Sequence, residues 1–330
     1  MNRHRPARRD VLALAAAMMA GALAPRSAFA QGAAAPLNFG YQTTSWGTIG
    51  MLVEARGLFK KAGANVTIYK FDGGKTTRDA MISGRIDVGV LGSTPFVVGA
   101  AKGDIAAIGM SMYAGKTDAV VAGKNRGIKS VADLRGRAVA SKVGSATDDV
   151  FRHKILPKYG LTADDLRILD IPHQNHIAAL VSGSVDAFAG VEPFPSLAEV
   201  EGVGVTLVDY SAFDILPVIL AANAPLITQK RTALIALLRG WLAGVKLFET
   251  HRDEAAKIVY ASFNAQGLNV SNEVIQRMLS KLDVTPTFKP GLRAYLEDQA
   301  KTLMARNAIS AMPDWDKLLN TELMQEAMNA

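Results

Sequence analysis

Ser83-Gly84-Arg85-Ile86-Asp87-Val88 and Ser182-Gly183-Ser184-Val185-Asp186-Ala187 repeat one pattern at an offset of 99 residues. In each copy Ser-Gly reads as the stop of a helix, and Asp then opens an apolar run suited to a buried strand. The same offset sets residues 38–42 against 137–141 and Thr48 against Thr147, so each copy also begins with a strand and a turn into a helix. Two elements that agree at one offset point to an internal repeat, and the fold reads as two similar α/β lobes.

The surrounding pattern extends this reading. Strand-like runs fall at 37–41, 66–71, 87–91, 105–112, 119–122, 137–140, 167–170, 187–191, 205–208 and 218–222, with helical patterns between them at 48–62, 76–83, 147–159 and 176–182. Such alternation predicts α/β units with largely parallel sheets. From Gln229 onward the pattern is nearly all helical, and these C-terminal helices are expected to pack on the first lobe. Residues 233–248 place Leu234, Leu237, Leu238, Trp241, Val245 and Phe248 at helical spacing, broken by Arg239 and Lys246, as in an amphipathic helix on a core. The expected lobes are 31–112 with 223–330, and 113–222, with chain crossings near 113–118 and 210–223. Two open α/β sheets facing each other make a cleft at the carboxyl ends of their strands, where helix N-termini favour polar or anionic ligands.

The chain of 330 residues is 49% hydrophobic and 20% charged, enough for a large core and incompatible with intrinsic disorder. It has no cysteine, which removes disulfides, thiolate metal sites, a Cys nucleophile and a lipid-modified Cys anchor. The formal charge of +7 suggests nucleic acid at first sight, but five of the 37 basic and one of the 30 acidic residues lie within residues 1–30. The remaining 32 basic and 29 acidic residues are nearly balanced, and no nucleic-acid partner is expected. Residues 1–30 carry Arg3, Arg5, Arg8 and Arg9, an uncharged run over 11–24, and Ala28-Phe29-Ala30, the layout of a secretory signal peptide. Arg8-Arg9-Asp10-Val11-Leu12 further resembles a twin-arginine signal. The expectation is a soluble periplasmic monomer, not a lipoprotein and not inserted in the membrane.

Residues 38–42, then Glu54-Ala55-Arg56-Gly57-Leu58-Phe59, then residues 83–89 resemble the opening of periplasmic substrate-binding proteins of ABC importers. The resemblance is to the nitrate, sulfonate and taurine group with its thiamine-pyrimidine relatives. Residues 128–137, Gly144-Ser145-Ala146 and Glu192-Pro193-Phe194 are similar to later segments of the same group. Such a resemblance implies a type II-like two-lobed fold and no cofactor. It also implies capture of a small polar or anionic solute for an inner-membrane ABC permease and its ATPase. The alternatives are a pyrimidine-binding protein, a sensor, or an exported enzyme on the same scaffold.

Site residues follow from the turns that the resemblance places at the cleft. In the first lobe they are Gln42, Thr43, Thr44, Ser45 and Trp46, an amide, three hydroxyls and an aromatic plane, together with Gly92, Ser93 and Thr94. In the second they are Lys142, Gly144, Ser145, Ala146 and Thr147, a strand end and helix start, then His173 and Gln174, and Glu192. Glu192 reads either as a helix cap or as a carboxylate suited to an amine or amidine; Val191 replaces the Trp common in the resembling group. His173 and His176 share a helical spacing but no third metal ligand is evident, and no metal is expected. Gly74-Lys75-Thr76 and Gly115-Lys116-Thr117 mimic a phosphate-binding loop, yet Tyr69 and Met110 occupy the positions of the required upstream glycine. With neither H-E-x-x-H nor G-x-S-x-G present, no catalytic residue is assigned.

Overall fold

A computed structural model describes residues 35–329, so the signal-peptide reading of 1–30 lies outside the described residues. Ten strands form among the described residues: β1 Leu37–Gln42, β2 Val66–Phe71, β3 Val88–Gly92, β4 Ile105–Tyr113, β5 Asp118–Gly123, β6 Ala138–Ser141, β7 Arg167–Asp170, β8 Ala187–Val191, β9 Gly204–Asp209 and β10 Pro217–Asn223. They build two five-stranded sheets, ordered β2-β1-β3-β10-β4 and β7-β6-β8-β5-β9. The two orders are the same pattern written twice, as the internal repeat predicts.

Each sheet is mixed because one strand is reversed. In the first sheet β10 runs antiparallel to β3 and β4, and in the second β5 runs antiparallel to β8 and β9. Both reversed strands directly follow a crossing from the other sheet, residues 114–117 before β5 and 210–216 before β10. Links this short deliver the chain at the end of the sheet where it arrives, and a parallel entry would need a crossover of a dozen residues or more. The strand at 217–223 therefore belongs to the first sheet, whereas the sequence reading ends the second lobe at 222.

The repeated hexapeptide has one physical job in both sheets. Gly84 and Gly183 adopt left-handed φ values of 73° and 78° that end their helices. Asp87 then accepts the Asn38 N–H at 2.7 Å, and Asp186 accepts the Ala138 N–H at 3.0 Å, each closing the entry of a neighbouring parallel strand. Asp87→Ala leaves the Asn38 amide unpartnered and is expected to lower unfolding free energy by about 1–3 kcal/mol in urea titrations. An unchanged midpoint would dismiss this lock.

The helix Arg231–Thr250 buries Leu234, Leu237, Leu238, Trp241, Val245 and Phe248. Trp241 meets the ring of Phe39 on β1 edge-on at 5.8 Å, and Phe59 meets it from another side at 5.2 Å. No described helix is long and apolar enough to cross a membrane. The helical pattern at 48–62 is divided by Gly57, whose φ of 59° separates Thr48–Arg56 from Leu58–Lys61. That at 147–159 holds a wider π turn over Phe151–Ile155, next to Pro157, which has no N–H to continue the ordinary ladder. The helix Asn272–Ser280 touches the second sheet's side as well, through Arg277 at 3.6 Å from Glu199.

Candidate functional site

The residues just past β1, β3, β6 and β8 meet at the seam between the two sheets. Thr44, Ser45 and Trp46 follow β1 and are buried. The Ser45 N–H donates to the Glu192 carbonyl beyond β8 at 3.0 Å, and the Trp46 indole N–H donates to Asp118 Oδ1 on β5 at 3.2 Å. A Cβ at Gly92 would lie 2.8 Å from the ring of Trp46 and 2.8 Å from Cβ of Ala146. Only a glycine at the end of β3 lets the two sides approach this closely. At the rim, Lys142 Nζ lies 3.2 Å from Asp72 Oδ2 across the seam.

Local structure fixes the second side. Ser145 caps its helix by accepting the Asp148 N–H at 3.1 Å, and Gly144 turns the preceding loop with φ 81°. Thr147, one residue into that helix, donates its hydroxyl to Asp118 Oδ2 at 2.5 Å. Tyr210, on the return crossing, donates to the Thr147 carbonyl at 3.2 Å. Glu192 is fully buried; it accepts Ser196 Oγ at 2.8 Å and Ser196 N at 3.3 Å, and it is ion-paired with Lys281. Of the two readings of Glu192 the structure shows the contacts of the first: its carboxylate accepts the Ser196 N–H at the start of the next helix, and Lys281 already matches its charge.

Several predicted residues point elsewhere. Gln42 donates to the Val90 carbonyl at 3.2 Å and Thr43 to the Phe71 carbonyl at 3.3 Å, both tied within the first sheet. Ser93 lies 3.3 Å from the Tyr295 hydroxyl on the helix Leu292–Ala305; Thr94 accepts from Gln299 of that helix at 3.1 Å but also donates to Asp149 at 3.2 Å, across the seam in the helix that Ser145 caps. Gln174 is exposed. Seven side-chain oxygen and nitrogen atoms are buried without a hydrogen-bond partner among the described residues; Thr44 Oγ1, Ser45 Oγ and His173 Nδ1 belong to the predicted site turns, and His176 Nδ1, Asp214 Oδ2, Asn223 Oδ1 and Trp241 Nε1 lie outside them.

Burial dominates the electrostatics. It pushes the Asp118 carboxyl up to about 8, against the hydrogen bonds from Thr147, Thr117 and Trp46, with the charge of nearby Glu192 adding to the rise. Burial holds His173 well below its ordinary value, aided by His176 and Lys142, and takes His176 down to about 4 despite its bond with the Ile171 carbonyl. The two imidazole rings stand edge-on at 5.1 Å, and no set of three or more His, Asp or Glu among the described residues is placed to hold a metal. Sequence reasoning missed Asp118, Tyr210 and Lys281. A signal existed for Asp118 alone: a charged residue opening the apolar run Ala119-Val120-Val121-Ala122.

Two mixed α/β sheets joined by two crossings, with polar turns gathered at the strand ends between them, define the two-lobed fold of periplasmic binding proteins. The periplasmic aliphatic sulphonate binding protein SsuA from Escherichia coli superposes with TM-score 0.74 at 22% identity, over 87% of this chain and 92% of that one. The periplasmic nitrate-binding protein NrtA from Synechocystis PCC 6803 does so with TM-score 0.73 at 15% identity, over 90% and 89%. The chain belongs to the NMT1-like family, whose sequence model matches residues 31–263. A candidate aliphatic sulfonates-binding protein of Escherichia coli (strain K12) is 31% identical over 170 residues, 50% of this chain and 52% of the relative. The chain thus aligns with about half the length of this curated relative.

Proposed function

We propose that the protein is an extracytoplasmic solute-binding component that captures a small polar solute between its lobes and hands it, chemically unaltered, to an ABC permease. The working lobes are the two sheets with their helices, and the crossings at 114–117 and 210–216 are the hinge. The names of the family relatives favour sulfonates, nitrate and similar solutes. Residues 1–30 direct export to the periplasm, where the protein acts as a soluble monomer.

One observation carries this reading. Nearly every buried polar atom in a folded protein finds a hydrogen-bond partner. Here Thr44 Oγ1 and Ser45 Oγ remain open side by side at the seam, with His173 Nδ1 open on the second side. Groups of this kind are matched when a solute enters, and contacts to both lobes then favour the closed arrangement.

A thermal-shift screen against sulfonates, nitrate, taurine, pyrimidines and aromatic carboxylates is the direct test, since a solute specific to the native state raises the melting temperature. The double replacement Thr44→Ala with Ser45→Ala removes two hydroxyls whose oxygens accept no hydrogen bond. It is expected to leave the melting temperature without solute nearly unchanged and to weaken the best solute about tenfold, ~1.4 kcal/mol. Unaltered affinity in calorimetry would reject these residues, and recovery of a converted solute would reject a binding role in favour of an enzyme.

A further inference from the structure

Five acidic side chains are buried among the described residues: Asp118, Asp148, Asp149, Glu192 and Asp214. Four have a basic partner. Asp148 meets Arg152 at 2.8 Å, Asp149 meets Arg306 at 2.7 Å, Asp214 meets Lys154 at 2.5 Å, and Glu192 meets Lys281. Asp118 has none, although it is fully buried and stands at the seam where the two sheets meet. Its neighbours are hydroxyls and an indole: Trp46 and Thr117 donate to Oδ1, each at 3.2 Å, and Thr147 donates to Oδ2 at 2.5 Å. A carboxylate offers about four acceptor positions, so one on Oδ2 is still open.

Buried charges are ordinarily paired, and leaving one without a counter-charge is strongly unfavourable. Within one protein that supplies a cation to four such groups, the fifth is left as the neutral acid, and it becomes a carboxylate only where a cation comes from outside. Two of its donors, Trp46 and Thr147, come from opposite sides of the seam, so a group bound at Asp118 touches the contacts that hold the lobes together. The open hydroxyls of Thr44 and Ser45 precede Trp46 on the same turn and can receive the remainder of a polar molecule.

We propose that the solute carries a protonated amine or amidine whose N–H pairs with Asp118, a reading that rests on the solute-binding role above. The specificity of the site is then for a small organic cation or zwitterion, and a purely anionic solute gains no ion pair at the seam. Glu192 does not compete for the solute, since Lys281 already neutralises it. The titratable groups that face Asp118 are Glu192 at the end of β8 and the Tyr210 phenol, whose pKa the Asp118 charge helps to raise. Neither supplies a positive charge.

Binding has a proton signature. Without solute, burial keeps the Asp118 carboxyl protonated at neutral pH. An ammonium or amidinium group entering beside it stabilises the carboxylate, and the carboxyl proton leaves to solvent. Calorimetry in buffers of different ionisation enthalpy should therefore register release of close to one proton at pH 7.

The experiment compares matched pairs on the wild-type protein: taurine against ethanesulfonate, and benzamidine against benzamide. The cationic member of at least one pair is expected to bind ten times more tightly or better, with proton release, and Asp118→Asn should abolish both the preference and the proton release. Equal affinity within the pairs, tighter binding of the member without the cationic nitrogen, or binding without proton release overturns the proposal while leaving solute binding intact. If no solute of either kind in the thermal-shift screen or these pairs binds at millimolar concentration, the solute-binding role fails and the proposal falls with it. The wild-type comparison decides the matter even where the Asn variant does not fold.

Discussion

Gly92→Leu is expected to leave the fold intact and to weaken solute binding about a hundredfold, ~2.7 kcal/mol. The Cβ of any larger residue would lie 2.8 Å from Ala146 Cβ on the opposite side of the seam and 2.8 Å from Trp46. In the open arrangement that the proposed capture of a solute requires, Ala146 is withdrawn with its lobe, and the Trp46 indole loses its tie to Asp118 and gains room to shift. With the lobes together neither can yield, because Ala146 begins a helix fixed by the Ser145 cap and Trp46 is tied to Asp118. The substitution therefore penalises only the closed state, and a solute that gains affinity from closure loses that gain. X-ray scattering with the tightest solute from the thermal-shift screen should show no compaction in the variant. Wild-type affinity together with wild-type compaction would show that the seam does not close at Gly92.

The stability of the solute-free protein is expected to peak near pH 6.5 and to decline on both sides. Asp118, held at about 8 by burial, stabilises the fold as the protonated acid. Its contribution is complete below the ordinary carboxylate value near 4 and is lost as pH rises to about 8. Histidines behave oppositely. Burial lowers His173, His176 and, less completely, His153, so their contributions are present above the ordinary value of 6.5 and lost as pH falls, through about 4 for His176. Between pH 4 and 6.5 the histidines outnumber the single acid and stability rises with pH. Between 6.5 and 8 Asp118 ionises in the fold while the histidines of the unfolded chain shed their last protons, so unfolding free energy should fall by under ~1 kcal/mol. Urea titrations at several pH values read this directly, and Asp118→Asn should flatten the alkaline side. A profile still rising from pH 6.5 to 8 would mean that Asp118 is ionised in the unliganded fold.

Much of this architecture was legible because its determinants are local. Ser-Gly-x-x-Asp encodes a helix stop and a strand start within a few residues, and both copies act as their composition implies. The reversal of β5 and β10 was hidden, since it depends on where a short crossing lands and not on the residues of the strand. At the site, the turns after β1 and β6 announced themselves through hydroxyl, Gly and helix-start chemistry, and the structure brings Ser45, Trp46, Ala146 and Thr147 to one seam. Ser93 shares that chemistry yet turns to Tyr295, and Thr94 divides its bonds between Gln299 and, across the seam, Asp149, partners far away in the chain. Asp118 escaped notice for a related reason. Its meaning lies in a missing partner, and a sequence shows which charges exist but not which of them have been left unmatched.

The position of β10 also governs how the protein can be made. It lies between β3 and β4, yet it is the last strand to be synthesised. Until residues 217–223 emerge from the ribosome, β3 and β4 each present a bare edge, the kind of surface that recruits other chains and aggregates. A product truncated before Pro217 is thus an insoluble fragment in waiting, and the first sheet cannot be produced as an autonomous unit from its N-terminal strands. Completion of the first sheet waits for the second, since residues 217–223 follow all the strands of the second sheet in the chain.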